Sequence, residues 1–200
     1  MSDERQARHK KAMEKLKQHV DDKVAAADQE RGLLLVFTGN GKGKTTAAWG
    51  TVGRALGYGY GVGVVQFIKG EWECGERLRL QDDPHLRIAT MSTGFTWETQ
   101  NRDTDRQACK ATWEKAAAML ADPDIYLVVL DELTYMLKFG YLDIQRVKRA
   151  LAHRPSEQSV IITGRNAHRE LLEMADTITE MQETRHAFNQ GLKARRGIDF

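Results

Sequence analysis

The stretch Val36-Phe37-Thr38-Gly39-Asn40-Gly41-Lys42-Gly43-Lys44-Thr45-Thr46 decides the fold. An apolar run, Leu33 to Phe37, leads into it, and a helix-compatible run, Ala47 to Leu56, leads out, so the order is strand, loop, helix. The glycines let the backbone curl with its N–H groups turned inward. Lys44 adds a point charge for phosphate oxygens, and the Thr45 hydroxyl stands where it can ligate Mg²⁺ at a helix N-terminus already biased toward anions. The stretch therefore predicts a cradle for a nucleoside triphosphate, with Gly39, Asn40, Gly41, Lys42, Gly43, Lys44, Thr45 and Thr46 as its binding residues. The usual template sets four residues between the first glycine and the Gly-Lys pair, whereas only Asn40, Gly41 and Lys42 separate Gly39 from Gly43. A shorter nest seats the phosphate chain differently, so the occupying phosphate does not carry over from kinases or motor ATPases.

Outward from the loop, strand and helix alternate. Strands are expected over Leu33–Thr38, Gly63–Ile68, Leu86–Met91, Ile125–Leu130 and Ser159–Thr163, with a short last one over Asp176–Met181. Several are continuous apolar runs, as strands covered on both faces by helices should be. Helices fit over Lys44–Leu56, Thr104–Leu120, Asp143–His153 and His168–Ala175. The expected class is α/β, a mostly parallel sheet flanked by helices in a P-loop NTPase fold over residues 31–200. Residues 1–30 form a helical arm. Its apolar positions Met13, Leu16, Val20 and Val24 recur at spacings of three and four, a stripe too narrow to bury much alone. Such an arm docks on the body, docks on a second subunit, or frays.

Composition narrows the function classes. At 41% hydrophobic residues the chain has enough apolar material for one domain with a sizeable core. Thirty basic residues against 28 acidic ones leave a net charge of +2, which argues neither for nor against nucleic acid. No window approaches the ~20 apolar residues of a membrane span, and the first residues lack the apolar core of a secretion signal. A cytoplasmic protein without a membrane partner is expected. Cys74 and Cys109 stand apart with no Cys-x-x-Cys spacing, which fits a reducing compartment and buried or half-buried thiols.

A second signal is acidic. Tyr126-Leu127-Val128-Val129-Leu130-Asp131-Glu132 ends an apolar strand in two carboxylates, and in nucleotide-binding sheets an acid at that position reaches the Mg²⁺ held by the loop hydroxyl. Thr45, Asp131 and Glu132 are the candidate metal residues, with either carboxylate open as the ligand. The chain spacing fits adjacent strands of one sheet. Arg54 on the loop helix either approaches ATP or is solvated, and Lys42 is either a further phosphate donor or exposed. Arg165 falls at the sheet edge where ligands collect, as ligand or ion-pair partner. Lys193, Arg195 and Arg196 form a basic tail that either folds over phosphates or, as the simpler expectation, stays a solvated terminus.

Gly39–Thr46 and Met91-Ser92-Thr93-Gly94-Phe95-Thr96-Trp97-Glu98-Thr99-Gln100-Asn101-Arg102 together resemble the bacterial corrinoid adenosyltransferases of the cobalamin pathway. The likeness extends to Val64–Gly70, Val128–Tyr135, Ile161–Arg165, His186–Phe188 and Gly197–Asp199, nearly the whole chain. The resemblance implies transfer of the 5′-deoxyadenosyl group of ATP to the Co(I) of a corrinoid, with release of triphosphate. It also implies Mg²⁺, a recombinase-like fold, a homodimer, and a flavin-bearing reductant such as a flavodoxin. Lys44 would stabilise the leaving triphosphate. Phe95 and Trp97, which by spacing alone are core packing or a lid, would press on the lower face of the corrin and displace its axial ligand. The N-terminal arm would cap the corrinoid.

Two other classes share the loop. A recombinase or motor-type ATPase acting on nucleic acid predicts phosphate release, but the chain lacks a second lobe and a distributed basic stripe. A nucleotide kinase predicts ADP.

Overall fold

The computed structural model describes residues 3–68, 73–91 and 102–199. Contacts divide the chain into residues 1–30 and residues 31–200. In the first unit, helix α1 (Asp3–Ala25) carries the expected stripe, and Met13, Leu16, Val20 and Val24 are all exposed.

The second unit is built on six strands: β1 (Leu34–Thr38), β2 (Val62–Gln66), β3 (Leu86–Thr90), β4 (Leu127–Asp131), β5 (Ser159–Thr163) and β6 (Thr177–Glu180). All pair in parallel, in the order β3-β2-β4-β5-β1-β6. Continuous burial follows from helices on both faces, and β2 and β4 are buried at every position. Alternation then divides each strand between two cores. Val128 and Leu130 face one side, with Val36, Val65, Val160 and Ile162. They meet α4 (Arg102–Ala121) through Trp113, Ala116 and Leu120, α6 (Ile144–Ala152) through Val147 and Leu151, and α7 (Arg169–Met174) through Leu171. Leu127 and Val129 face the other side with Phe37, Val62, Val64 and Ile161. There α2 (Lys44–Gly57) covers them with Ala48, Trp49, Val52 and Ala55. Each such aliphatic side chain removed from water contributes roughly 1.5–3 kcal/mol, so the central strands carry much of the fold's hydrophobic stabilisation.

The predicted strands all stand within two residues of the observed ones at both ends. Three short elements escape the sequence pattern: α3 (Gly75–Leu80), α5 (Leu133–Lys138) and a 3₁₀ turn at Ala187–Gln190. One to two turns are too short for apolar periodicity to register, and α3 buries no residue completely. A larger difference concerns strand order. The strands bearing the loop and the two carboxylates, expected to be adjacent, are separated by β5, which pairs with both. Spacing along the chain records only the length of a crossover; which strands become neighbours is set by how the helices pack on each face.

Candidate active site

The phosphate loop is shaped by glycine conformations and by the strand beside it. Gly39, at φ +92°, turns the chain out of β1, and a Cβ there would run into the Met181 carbonyl. The Gly41 N–H donates to that same carbonyl at 2.7 Å, while the Met181 N–H donates to the Thr38 carbonyl at 2.9 Å. The segment leaving β6 therefore braces the loop from outside. Gly43, at φ +106°, caps α2 in the left-handed region with no side-chain cap, which leaves the first N–H groups of the helix for an anion.

Lys44 is only 6% exposed. Its ammonium donates to the carbonyls of Gly39 at 2.8 Å and Gly41 at 2.6 Å, drawn across its own loop. Burial pulls its pKa below the usual lysine value and Arg165 adds to the pull, while the carboxylates of Glu132 and Asp131 oppose it.

The carboxyl end of β4 meets the loop helix through Asp131, 1% exposed. Asp131 Oδ1 accepts from Thr45 Oγ1 at 2.9 Å and from Thr163 Oγ1 at 2.7 Å, and Oδ2 is 3.4 Å from the Gln66 side-chain amide. Thr163 in turn accepts the Glu132 N–H at 2.9 Å. Four elements, β2, β4, β5 and α2, thus converge on one carboxylate. Glu132 is held differently: the chain turns from β4 straight into α5 through a left-handed Glu132 at φ +60°.

Glu132 lines a cavity of about 670 Å³ together with Gly41 to Thr46, Arg165, the α3 residues Gly75, Glu76, Arg79 and Leu80, and the tail residues Gly197, Ile198 and Asp199. The oxygens present suit Mg²⁺. A Thr45 hydroxyl that spends its proton on Asp131 keeps its lone pairs for a hard cation, and a carboxylate lies 2.9 Å away. Among the described residues no group of three His, Cys, Asp or Glu is placed to hold a metal ion.

Of the residues singled out from sequence, Gly41 to Thr46 line the cavity, with Gly39 and Asn40 at the entry to the loop. Glu132 lines it as well, while Asp131 reaches it only through its bond to Thr45. Arg165 also lines the cavity. Arg54 does not: it is exposed in the last turn of α2, ten residues or ~15 Å of helix beyond Lys44. Phe95 and Trp97 lie outside the described residues. The tail's basic residues Lys193, Arg195 and Arg196 are exposed, as expected of a solvated terminus, while two ion pairs tie the last turn to the body, Asp199 with Lys42 at 2.6 Å and Arg196 with Glu73 at 3.1 Å. Sequence reasoning missed Met181, Arg79, Thr163 and Gln66 as well, none of which carries a local motif. Cys74 and Cys109 are both buried and neither is in a disulfide, and burial pushes the Cys109 thiol up to about 12.

The family model described as ATP:corrinoid adenosyltransferase BtuR/CobO/CobP matches residues 30–200. The chain belongs to this family. It is 55% identical to the corrinoid adenosyltransferase CobA of Salmonella typhimurium, over 100% of each chain. The corrinoid adenosyltransferase of Escherichia coli strain K12 is 53% identical, again over 100% of each. That of Pseudomonas aeruginosa is 50% identical over 100% of this chain and 98% of the relative. As in any adenosyltransferase of this family, a corrinoid and ATP are the substrates to be accounted for.

Proposed function

We propose that the protein transfers the 5′-deoxyadenosyl group of ATP to the Co(I) of a corrinoid and releases triphosphate, in cobalamin biosynthesis and salvage. The acceptor would be cobalamin, cobinamide or cobyrinic acid a,c-diamide. The observation that carries the reading is the compact loop, with Lys44 buried inside it, at the mouth of a cavity in a chain of this family. The reduced cobalt brings its own electron pair, which forms the bond to C5′ as the C5′–O bond breaks and its pair leaves on the triphosphate. The protein therefore needs no nucleophile of its own; it must align the carbon and stabilise the departing polyanion.

Loop N–H groups and Lys44 suit that second task. The Lys44 ammonium, already held by two loop carbonyls, needs only a small swing to exchange them for phosphate oxygens. Mg²⁺, when bound, supplies further charge neutralisation on the triphosphate. Thr45 would ligate it, with Asp131 fixing the hydroxyl; Glu132 faces the cavity and would act on the ion through water or on Lys44 by charge. Phe95 and Trp97 are assigned to the lower corrin face, where displacing the axial ligand eases reduction to Co(I). A homodimer, a flavin-bearing reductant such as a flavodoxin, and a cytoplasmic setting complete the proposal. Two buried cysteines outside any disulfide accord with a reducing compartment. No helix among the described residues is long and apolar enough to cross a membrane.

Anaerobic incubation of the purified protein with Mg-ATP and a Co(I) corrinoid tests this reading. A light-sensitive cobalt–carbon bond in the visible spectrum and stoichiometric triphosphate are expected. Phosphate release stimulated by DNA or RNA would replace the reading with a motor ATPase.

A further inference from the structure

The C-terminal turn reaches the phosphate loop through one carboxylate. Asp199 Oδ1 pairs with Lys42 Nζ at 2.6 Å, while Oδ2 accepts the Arg195 N–H at 2.8 Å. The N–H groups of Ile198 and Asp199 return to the Arg195 carbonyl at 3.1 and 2.8 Å, closing the turn. Arg196 anchors it on the far rim, to Glu73 just before α3. Gly197, Ile198 and Asp199 thereby become a wall of the same cavity that Lys42, Lys44 and Thr45 line. Lys42 holds the Asp199 carboxyl below the usual carboxylate range, and the Arg195 N–H adds to this.

We propose that Asp199 is a built-in competitor for the phosphate-loop lysine: a triphosphate must take Lys42 from it, so Asp199 sets how tightly the polyanion is held and how readily it leaves. The pair is partly solvent-exposed, with the Lys42 and Asp199 side chains 53% and 23% accessible, so its net strength is small. A ligand carrying several negative charges outbids one carboxylate for the same ammonium, and repels that carboxylate as it settles. The device has a purpose under the function proposed above, on which it rests. Alkyl transfer leaves the whole triphosphate in the loop, and a returning Asp199 reclaims one of its cations. Asp199 is a positioning residue here, acting through Lys42 rather than on the reacting atoms.

The test is calorimetric binding of inorganic triphosphate with Mg²⁺ to the full chain, comparing wild type, D199N, K42A and the double variant. D199N is expected to bind about twofold to fivefold more tightly than wild type, yet to change affinity by less than about twofold in the K42A background. Hydrogen exchange supplies a second readout, in which triphosphate speeds exchange of the amides at 195, 198 and 199 in the wild type. Unchanged or weaker binding by D199N, an equal gain in both backgrounds, or slower exchange at the turn would overturn the proposal. Absence of any triphosphate binding to the wild type would remove it together with the loop's assignment. Normal coupling without corrinoid adenosylation would leave the exchange standing and the proposed reaction fallen.

Discussion

Lys44 and Asp131 are the two residues where burial and charge combine most sharply. Lys44→Ala removes the buried ammonium held by two loop carbonyls, so triphosphate formation should fall by roughly 10²-fold or more while far-UV circular dichroism is unchanged. Normal turnover would reject the phosphate role. Asp131→Asn keeps an acceptor near Thr45 but loses the charge, and the Mg²⁺ concentration for half-maximal activity should rise roughly 10–100-fold. An unshifted Mg²⁺ titration would transfer that role to Glu132. Phe95→Ala or Trp97→Ala should impair reaction from Co(II) far more than from prereduced Co(I), and equal losses would argue against axial-ligand displacement. At this scale sequence reading did well for the loop, whose chemistry is written in consecutive residues. It left Asp131 and Glu132 undivided because only the fold decides which carboxylate meets the hydroxyl.

In α1 the apolar stripe is left exposed, with Met13, Leu16, Val20 and Val24 each about half exposed or more. A charged helix with so narrow a stripe gains little by packing and is expected to be ordered by what it covers. Deleting residues 1–25 should weaken corrinoid binding roughly tenfold more than ATP binding, measured by titration of each ligand. Equal effects would dismiss the arm as a cap. The edge strand β6 is exposed at every position and is held by its pairing with β1, and the segment leaving it braces the loop through Met181. Its existence was legible from Asp176–Met181; its service to the loop was not, since that depends on pairing beside β1.

For the whole molecule, stability includes a clasp between distant parts of the chain. The Arg31 guanidinium grips Asp176 through two bonds of 2.8 and 2.5 Å, and Asp176 also accepts the Leu34 N–H at 2.8 Å. The Arg31 bond, aided by the Leu34 N–H, holds the Asp176 carboxyl at about 2 instead of its ordinary 3.8. Because the folded value is the lower one, the contribution is full above about pH 4 and vanishes as pH falls toward about 2. Asp176→Asn should lower the Tm by roughly 2 °C at neutral pH, a modest effect for an exposed guanidinium, and the gap to wild type should close across that acid window. A gap independent of pH would reject the linkage.

By itself the sequence determined the parallel α/β class, the phosphate loop, the carboxylate pair and the family, because each is carried by local periodicity or by residues consecutive in the chain. Tertiary structure alone decided that β5 intervenes between the loop strand and β4, that Asp131 touches Thr45 while Glu132 faces the cavity, and that the tail closes on Lys42. These are contacts between residues far apart in the chain. They are selected by how helices cover the two sheet faces and by where the last turn comes to rest, and no local preference encodes either.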